Sequence, residues 1–314
     1  MPYYLGIDGG GTKTLCVLAD ENTVLARAVS GGSNIVRLGG QQAKEALHTV
    51  IRQVCSAAKI SPHQIRSVCI GAAGAGRPEI AAKIGSMVRE LIPAPLETGQ
   101  VPFLTQANIE VVGDTVIALE AAFGAGPGVI AIAGTGSIAF GRDANGHTAR
   151  AGGWGFAVSD EGSGHWIGRR AISAILSARD QGLDTVLTAL VLQAWKLTTI
   201  DELVQQANAT PAPDFPRLFR IVQQAADEGD AIASELLADA GAKLAALAAI
   251  VVCRLAPRSK EATLSIAMTG SVFRQSSQVR EVFSRRLREK FPGIDVREEL
   301  AEPAEGALAR ARRM

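Results

Sequence analysis

The chain has 314 residues, of which 47% are hydrophobic, and its formal net charge is +1. This length predicts two domains, and the apolar content is sufficient to build a buried core in each. The near-neutral charge argues against a nucleic-acid surface. The four scattered cysteines, without a C-x-x-C pair, favour buried free thiols in a reducing cytoplasm over a zinc or iron–sulfur site.

The first predicted elements form a hairpin with a glycine-rich turn. Strands are expected at Tyr3–Ile7 and Thr14–Asp20, with the sequence D-G-G-G-T-K between them. Glycine adopts positive φ angles and lets the backbone approach a ligand, and successive N–H groups in such a turn bind anions. Asp8 can hold Mg²⁺ through water. The turn is therefore predicted to bind nucleotide phosphates, although it lacks Walker A spacing; a glycine-rich hairpin without a ligand is the alternative.

Strands and helices then alternate up to about residue 115. Further strands are predicted at Leu25–Ser30, Ile65–Gly71 and Ile109–Gly113, helices at about Gln41–Ala58 and Pro78–Leu91, and a loop at Pro93–Pro102. Asp114 follows the last strand and precedes a helical segment, Thr115–Phe123. An aspartate in this position is either a helix N-cap or a general base, and position alone does not separate the two roles.

The opening arrangement recurs in the second half of the chain. An apolar run, Val129–Ala133, leads into G-T-G-S at Gly134–Ser137 and a second run, Ile138–Phe140. Two halves that each offer a phosphate-binding hairpin can hold one nucleotide between them, and Gly124, Gly126 and Gly128 between the halves are a predicted hinge. Helices are expected from Gly162 to Leu255, followed by a strand at Thr263–Met268. The apolar stretch Ile232–Leu255 contains four charged residues, which favours a buried helix over a membrane span.

Five motifs in this order resemble one known family: D-G-G-G-T-K-T at Asp8–Thr14, G-T-G-S at Gly134–Ser137, G-G-W-G at Gly152–Gly155, D-E-G-S at Asp160–Ser163 and T-G-S-V at Thr269–Val272. The chain is similar over essentially its whole length to the BadF/BadG/BcrA/BcrD ATPase branch of the sugar kinase/Hsp70/actin superfamily, and within it to N-acetylglucosamine kinases. The zinc motif of the ROK sugar kinases is absent.

The resemblance implies an α/β fold of two actin-like (ribonuclease H-like) domains, each a mixed sheet flanked by helices, around an ATP/sugar cleft. The expected domains are residues 1–115 and 116–302, with a C-terminal helix at about 303–314 that can pack back on the first. The implied activity is ATP- and Mg²⁺-dependent phosphorylation of an amino sugar, N-acetylglucosamine at its 6-hydroxyl. The apolar helices of the second half suggest a homodimer, and the cysteines, the net charge and the hydropathy favour a cytoplasmic protein without a nucleic-acid or membrane partner.

Three alternatives to this activity stay open. The substrate can instead be glucosamine or N-acetylmuramic acid, because a few loop atoms decide the fit of the sugar substituents. A BadF-type ATPase would hydrolyse ATP without a sugar, but the cysteines offer no good cluster ligands and the G-W-G and D-E-G-S segments argue against it. A sugar-sensing regulator would need a DNA-reading domain, and no basic helix-turn-helix precedes Tyr3.

The resemblance also implies roles for particular residues. Asp114 is the expected catalytic base and Asp8 the expected magnesium contact through water. Phosphate contacts are expected from Gly9, Gly10, Gly11, Thr12, Lys13, Thr135, Gly136 and Ser137, and a position near the adenosine from Gly270 and Ser271. Sugar contacts are expected from Asn34, Gly74, Trp154, Gly155 and Asp160.

Several of these residues have a structural alternative. Lys13 can be a solvated hairpin lysine, and Gly270 a glycine that precedes a helix. Asn34 can form a turn and Asp160 can cap a helix. Trp154 is flanked by glycines, which favours an exposed ring available to a sugar face over a core position.

Overall fold

The computed structural model describes residues 2–92, 107–256 and 264–314. Contacts divide the chain into a first unit, Met1–Gly126 with Ala301–Met314, and a second unit, Pro127–Leu300. The sequence places the end of the first domain at residue 115, whereas the structure carries the first unit on through the following helix to Gly126. The predicted loop Pro93–Pro102 lies outside the described residues.

The first unit is a five-stranded mixed sheet with helices packed on it. Elements are numbered in chain order: β1 (Tyr3–Gly9), β2 (Lys13–Ala19), β3 (Val24–Gly31), β4 (Ile65–Ala72), β5 (Asn108–Gly113), α1 (Ile35–Leu38), α2 (Gly40–Ala58), α3 (Pro78–Leu91), α4 (Asp114–Phe123) and α12 (Pro303–Arg313). The strand order is β3-β2-β1-β4-β5. β1 pairs antiparallel with β2 and parallel with β4, and β5 is parallel to β4.

The predicted strands and helices of this unit lie within a residue or two of their observed bounds. In α2 the apolar residues at helical spacing, such as Leu47, Val50 and Val54, are buried against the sheet, as the period predicts. The exception is α1, whose four residues are too few to show a helical period in the sequence.

The last helix, α12, packs closely on β1 and α4. A Cβ atom at Gly306 would lie 2.0 Å from the carbonyl oxygen of Ile117, and one at Gly6 would lie 2.3 Å from the amide nitrogen of Leu308. Glycine at both positions lets the backbones approach this closely. This packing explains why α4 and α12 belong to the first unit.

Ion pairs hold α12 in place. The buried carboxylate of Glu120 on α4 lies 2.7 Å from Arg313 and 3.7 Å from Arg310, and Arg310 also donates from Nε to Glu110 at 2.9 Å. The Arg310 hydrogen bond holds the pKa of Glu110 below its usual value. These arginines stand in the last turn of α12, where they complement the helix C-terminus, and they also have carboxylate partners on the neighbouring elements.

The second unit repeats this sheet arrangement. It contains β6 (Gly128–Ala133), β7 (Ser137–Arg142), β8 (Thr148–Gly152), β9 (Ile266–Thr269), β10 (Val296–Leu300), α5 (Gly164–Gln181), α6 (Val186–Trp195), α7 (Ile200–Ala207), α8 (Leu218–Asp227), α9 (Ala231–Leu255), α10 (Ser271–Gln275) and α11 (Ser277–Lys290). The strand order is β10-β9-β6-β7-β8, with β6–β7–β8 antiparallel and β9 and β10 parallel to β6 and to each other. The predicted internal repeat is therefore present, and the strand expected at Thr263–Met268 appears as β9, with Thr263 outside the described residues.

The longest helix of the second unit, α9, is part of its core. By length and composition it is the one helix in the described ranges that could cross a membrane, and 56% of its most apolar window is buried inside the protein. Its apolar residues, including Leu237, Leu244 and Val252, pack in the same cluster as the sheet residues Val129 and Ile266. These contacts fit the predicted buried helix of a folded domain.

Candidate active site

The candidate site of the first unit lies at one edge of its sheet. Strands β1, β4 and β5 are parallel, and Gly9, Ala72 and Gly113 stand side by side in register at their carboxyl ends. The glycine turn, the loop that contains Gly74, and Asp114 follow these three residues directly. Ligands of open α/β sheets bind beyond the carboxyl ends of the strands. The topology therefore brings together residues predicted for phosphate binding, sugar binding and catalysis.

Hydrogen bonds fold the glycine turn against the segment after β3. The N–H of Gly10 donates to the carbonyl oxygen of Lys13 at 3.0 Å, and the N–H of Ser33 donates to the carbonyl oxygen of Gly10 at 3.1 Å. The buried hydroxyl of Thr14 donates to the carbonyl oxygen of Gly31 at 2.7 Å. These bonds fix the turn before any ligand binds.

The glycines of this turn serve two different needs. A Cβ atom on Gly9 would lie 2.8 Å from Ser33 Oγ, and one on Gly32 would lie 2.5 Å from the carbonyl oxygen of Gly11. Close packing of the chain therefore accounts for Gly9 and Gly32 without a ligand. Residues 11–13 at the tip are partly or fully exposed, so their backbone N–H groups can meet a phosphate.

Asp8 lies near the end of β1, between Leu15 of β2 and Gly71 of β4, and is half-buried. Within the described ranges no group of three or more His, Cys, Asp or Glu side chains could hold a metal ion. Asp8 therefore fits a Mg²⁺ site in which one carboxylate acts together with water and phosphate oxygens, a set of ligands that Mg²⁺ commonly has.

Gly74 lies close to α1, the short helix that Asn34 caps. The side-chain oxygen of Asn34 caps α1, accepting from the N–H groups of Val36 at 3.0 Å and Arg37 at 3.2 Å. Gly74 has a φ of +85°, and a Cβ atom there would lie 3.1 Å from Val36 Cγ2. The side-chain oxygen of Asn34 thus has the structural role that the sequence offered as the alternative to sugar binding. The NH₂ group of the same side chain is the part suited to a sugar hydroxyl.

Asp114 begins α4, with Gly113 as the N-cap residue. Its carboxylate is half-buried and accepts the N–H of Thr115 at 2.9 Å. Burial raises the pKa of Asp114, and the hydrogen bonds from the helix N-terminus only partly counter this effect. A carboxylate with a raised pKa is a stronger proton acceptor than an exposed aspartate, which fits the expected base.

The second unit has a corresponding turn after β6. The N–H of Gly134 donates to the carbonyl oxygen of Gly136 at 2.9 Å, and the Ser137 hydroxyl donates to the carbonyl oxygen of Glu161 at 2.8 Å. The first residue of α5 is tied to the same turn, because the Gly164 N–H donates to the carbonyl oxygen of Gly134 at 2.8 Å.

Asp160 braces this turn. Its carboxylate accepts the backbone N–H groups of Ser137 and Gly155, and burial raises its pKa. A Cβ atom on Gly136 would lie 2.8 Å from Asp160 Oδ2. Asp160, expected as a sugar contact, thus lies against the G-T-G-S turn. No local sequence signal links these residues, because they are far apart along the chain and meet only through the fold.

Gly270 and Ser271 join the same edge of the second sheet. β6 and β9 are parallel, with Ile132 beside Thr269. Gly270 has a φ of +106°, and a Cβ atom there would lie 2.2 Å from the carbonyl oxygen of Ala133. Both the positive φ angle and this close approach require glycine. The alternative that Gly270 is simply a glycine that precedes a helix is therefore sufficient to explain why glycine stands at this position.

Trp154 stands on the surface of the loop between β8 and α5. Its side chain is 71% exposed, and the Arg150 guanidinium lies 4.3 Å from the ring centroid. The flanking glycines have positive φ angles, +69° at Gly153 and +101° at Gly155. The ring is therefore exposed, as the glycines predict, and it offers a flat face to a ligand.

The thiols described by the structure are free. Cys16, Cys55 and Cys69 are buried as predicted, whereas Cys253 is exposed near the end of α9. Burial raises the pKa of Cys55 to about 11 and that of Cys69 to about 12. Thiols of this kind stay protonated near neutral pH and do not favour metal or cluster ligation.

Comparisons with known proteins agree over the whole chain. The profile of the BadF/BadG/BcrA/BcrD ATPase family matches residues 5–311. An N-acetylmuramic acid/N-acetylglucosamine kinase of Clostridium acetobutylicum is 32% identical over 99% of each chain. An N-acetyl-D-glucosamine kinase of Dictyostelium discoideum is 30% identical over 97% of this chain and 96% of its own. The crystal structure of a candidate N-acetylglucosamine kinase from Chromobacterium violaceum superposes with a TM-score of 0.74 at 27% identity, covering 98% of both chains.

Proposed function

The chain belongs to the BadF/BadG/BcrA/BcrD ATPase family, and on that premise we propose that it is an ATP-dependent kinase that phosphorylates N-acetylglucosamine on its 6-hydroxyl. Relatives with this type of activity in their names match it from end to end at 30% and 32% identity. The observation that supports the proposal is the shared edge at Gly9, Ala72 and Gly113, because the glycine turn expected to bind phosphate and the expected base, Asp114, both follow residues of this edge.

The proposed reaction needs four contributions from the first unit. The backbone N–H groups of residues 11–13 bind phosphate oxygens, and Asn34 and the loop at Gly74 contact sugar hydroxyls. As the sugar oxygen bonds to the γ-phosphorus and the bond to ADP breaks, the hydroxyl proton passes to the carboxylate of Asp114. Asp8 would hold Mg²⁺ through water, and the bound ion would neutralise charge on the phosphates.

The second unit contributes a second phosphate-binding turn and an aromatic surface. Thr135 and Gly136 are assigned to phosphate contacts, and Ser137 is assigned to holding the shape of their turn, because its N–H and hydroxyl are donated to the Asp160 carboxylate and the Glu161 carbonyl oxygen. Gly270 and Ser271 lie at the same sheet edge and are assigned to the nucleoside side. Trp154 and Gly155 are assigned to the sugar, with the exposed indole covering an apolar ring face.

A coupled ADP-release assay tests this function directly. The purified protein is given MgATP with N-acetylglucosamine, glucosamine, N-acetylmuramic acid or no sugar, and 6-deoxy-N-acetylglucosamine serves as the matched control because it lacks the accepting hydroxyl. We expect ADP release that depends on sugar and disappears with the 6-deoxy compound. ADP release that is equally fast without sugar contradicts the proposal and favours an ATPase of the BadF type.

We further propose that the enzyme works as a cytoplasmic homodimer. Large apolar side chains are exposed on the helical part of the second unit, among them Leu183, Val186 and Val204. Such side chains fit a contact between copies. Light scattering coupled to size-exclusion chromatography measures the mass in solution, and a monomer at micromolar concentration contradicts this assignment.

A further inference from the structure

The second unit contains a cavity of about 300 Å³ beside the predicted sugar-contacting loop. One wall is formed by residues 156–159 of this loop and by Glu161, and the other by His165, Trp166, Arg169, Arg170 and Ser173 on α5. We call it the arginine cavity. Its volume lies at the lower end of the range for small-molecule sites.

The position of the arginine cavity connects it to the proposed sugar contacts. Its loop wall lies directly between Gly155 and Asp160, two residues assigned above to the sugar and to the bracing of the second glycine turn. Glu161, which lines the cavity, accepts the Ser137 hydroxyl through its carbonyl oxygen. A substituent on a sugar held by this loop can therefore enter the cavity without leaving the site.

The cavity carries an excess of positive charge. Arg169 and Arg170 both line it and are exposed, and in the described parts of the chain neither has a carboxylate partner. Arg170 lies with its guanidinium 5.8 Å from the centroid of the Trp166 ring. The one carboxylate in the lining is Glu161. Two guanidinium groups against one carboxylate leave a net positive site, and guanidinium is the side chain best suited to bind a carboxylate in paired hydrogen bonds.

Aromatic rings contribute to both walls of the arginine cavity. The Phe156 ring contacts His165 at a tilt of 40° with centroids 4.7 Å apart, and His165 in turn contacts Phe215 edge-on at 5.4 Å. His165 is 8% exposed, so this group of rings extends from the cavity into the core. A ligand group that carries both a methyl and a carboxylate would find an apolar surface and two cations in the same small space.

We infer that the arginine cavity is a subsite for an acidic substituent of the sugar, and that Arg169 and Arg170 determine whether the enzyme accepts a carboxylated amino sugar. The lactyl ether of N-acetylmuramic acid has this chemistry, with one methyl and one carboxylate. The inference rests on the proposed kinase function. Since N-acetylglucosamine lacks the substituent, the cavity discriminates between sugars and does not take part in phosphoryl transfer.

The test compares kcat/KM for N-acetylmuramic acid and for N-acetylglucosamine in the full-length protein. For the double variant Arg169→Gln, Arg170→Gln we expect the ratio of the two values to fall roughly 10- to 100-fold, as for the loss of hydrogen bonds to a charged group. The lysine pair Arg169→Lys, Arg170→Lys keeps the charge and should lose less. Arg179→Gln, an exposed arginine in the last turn of the same helix and outside the cavity, is the matched control and should leave the ratio unchanged.

The wild-type protein alone already separates two kinds of failure. If it phosphorylates N-acetylglucosamine but not N-acetylmuramic acid, the inference about the cavity is overturned and the kinase function stands. If it phosphorylates neither, both are overturned. If both sugars react and the glutamine pair leaves the ratio at the wild-type value, the inference is likewise overturned; thermal melting and turnover with N-acetylglucosamine show that this variant is folded.

Discussion

Replacing Asp114 with asparagine should abolish most of the turnover without lowering stability. Asparagine has nearly the same shape, and its side-chain oxygen can still accept the N–H of Thr115, which lies 2.9 Å from Oδ1 in the wild type. The variant therefore removes the proposed proton acceptor and the charge while it keeps the start of α4. Loss of a general base costs roughly 10²- to 10⁴-fold in kcat, or about 3–5 kcal/mol of transition-state stabilisation.

The expected sign of the stability change follows from the raised pKa of Asp114. Because burial raises this pKa, the folded protein holds the proton at pH values where the unfolded chain has already lost it. The free energy of unfolding of the wild type therefore falls as pH rises from about 4 through the raised value. Asparagine does not ionise and therefore does not lose stability in this way. The melting temperature of the variant relative to that of the wild type should increase over this pH interval.

Two assays and one control test the expected effects of Asp114→Asn on turnover and on stability. Coupled ADP release with N-acetylglucosamine measures kcat and KM, and calorimetry between pH 4 and neutrality measures stability. In the wild type, kcat/KM should fall as pH drops through the raised pKa, because the protonated carboxyl cannot accept a proton. Glu79→Gln is the matched control, since Glu79 is an exposed acid in the first turn of α3 with no assigned role.

The assignment of Asp114 as the base is refuted by an asparagine variant whose turnover stays within a few-fold of wild type. A melting temperature that falls well below that of wild type at neutral pH refutes the electrostatic argument instead, because it means that the carboxylate stabilises the fold. The control should keep full turnover and lose at most about 1 kcal/mol of helix stabilisation.

Three further substitutions test other parts of the structure. Gly136→Ala places a methyl 2.8 Å from the buried Asp160 carboxylate, so we expect a KM for ATP raised by roughly tenfold and about 1–2 kcal/mol lost in urea unfolding. Trp154→Ala removes a ring that is 71% exposed, so stability should change by less than about 0.5 kcal/mol while the KM for sugar rises several-fold. Gly306→Ala gains about 1 kcal/mol of helix propensity but puts a Cβ atom 2.0 Å from the Ile117 carbonyl oxygen, so urea unfolding should show a net loss of 1–2 kcal/mol.

Most helices and strands of the fold can be predicted from the sequence, because each depends on the pattern of apolar residues within its own segment. Apolar alternation and helical spacing predict β1, β2 and α2 closely, and the hairpin at Val129–Ala133 repeats the pattern of the first. The fold class, two mixed sheets flanked by helices, is confirmed. The extent of the first unit is not a local property, because it depends on how α4 and α12 pack through Gly306, far away in the chain.

The candidate site is readable only in part, for the same reason. The order of Asp8, Asp114 and the glycine motifs is present in the sequence, and their roles stay predictions. The bracing of the G-T-G-S turn by Asp160 is a tertiary contact between distant residues. The excess of positive charge around Arg169 depends on which carboxylates lie near it in the folded protein. The spacing of residues along the sequence does not predict this.

The division of the first unit into two stretches of chain has a consequence for synthesis on the ribosome. Residues 127–300 form one continuous segment, whereas the first unit needs α12, which is translated afterwards. Until α12 emerges, the surface around Gly6 and Ile117 lacks its cover, and Glu120 lacks its arginine partners. The second unit can complete its core while the first waits, so the nascent chain should acquire its halves in the reverse of their order along the sequence.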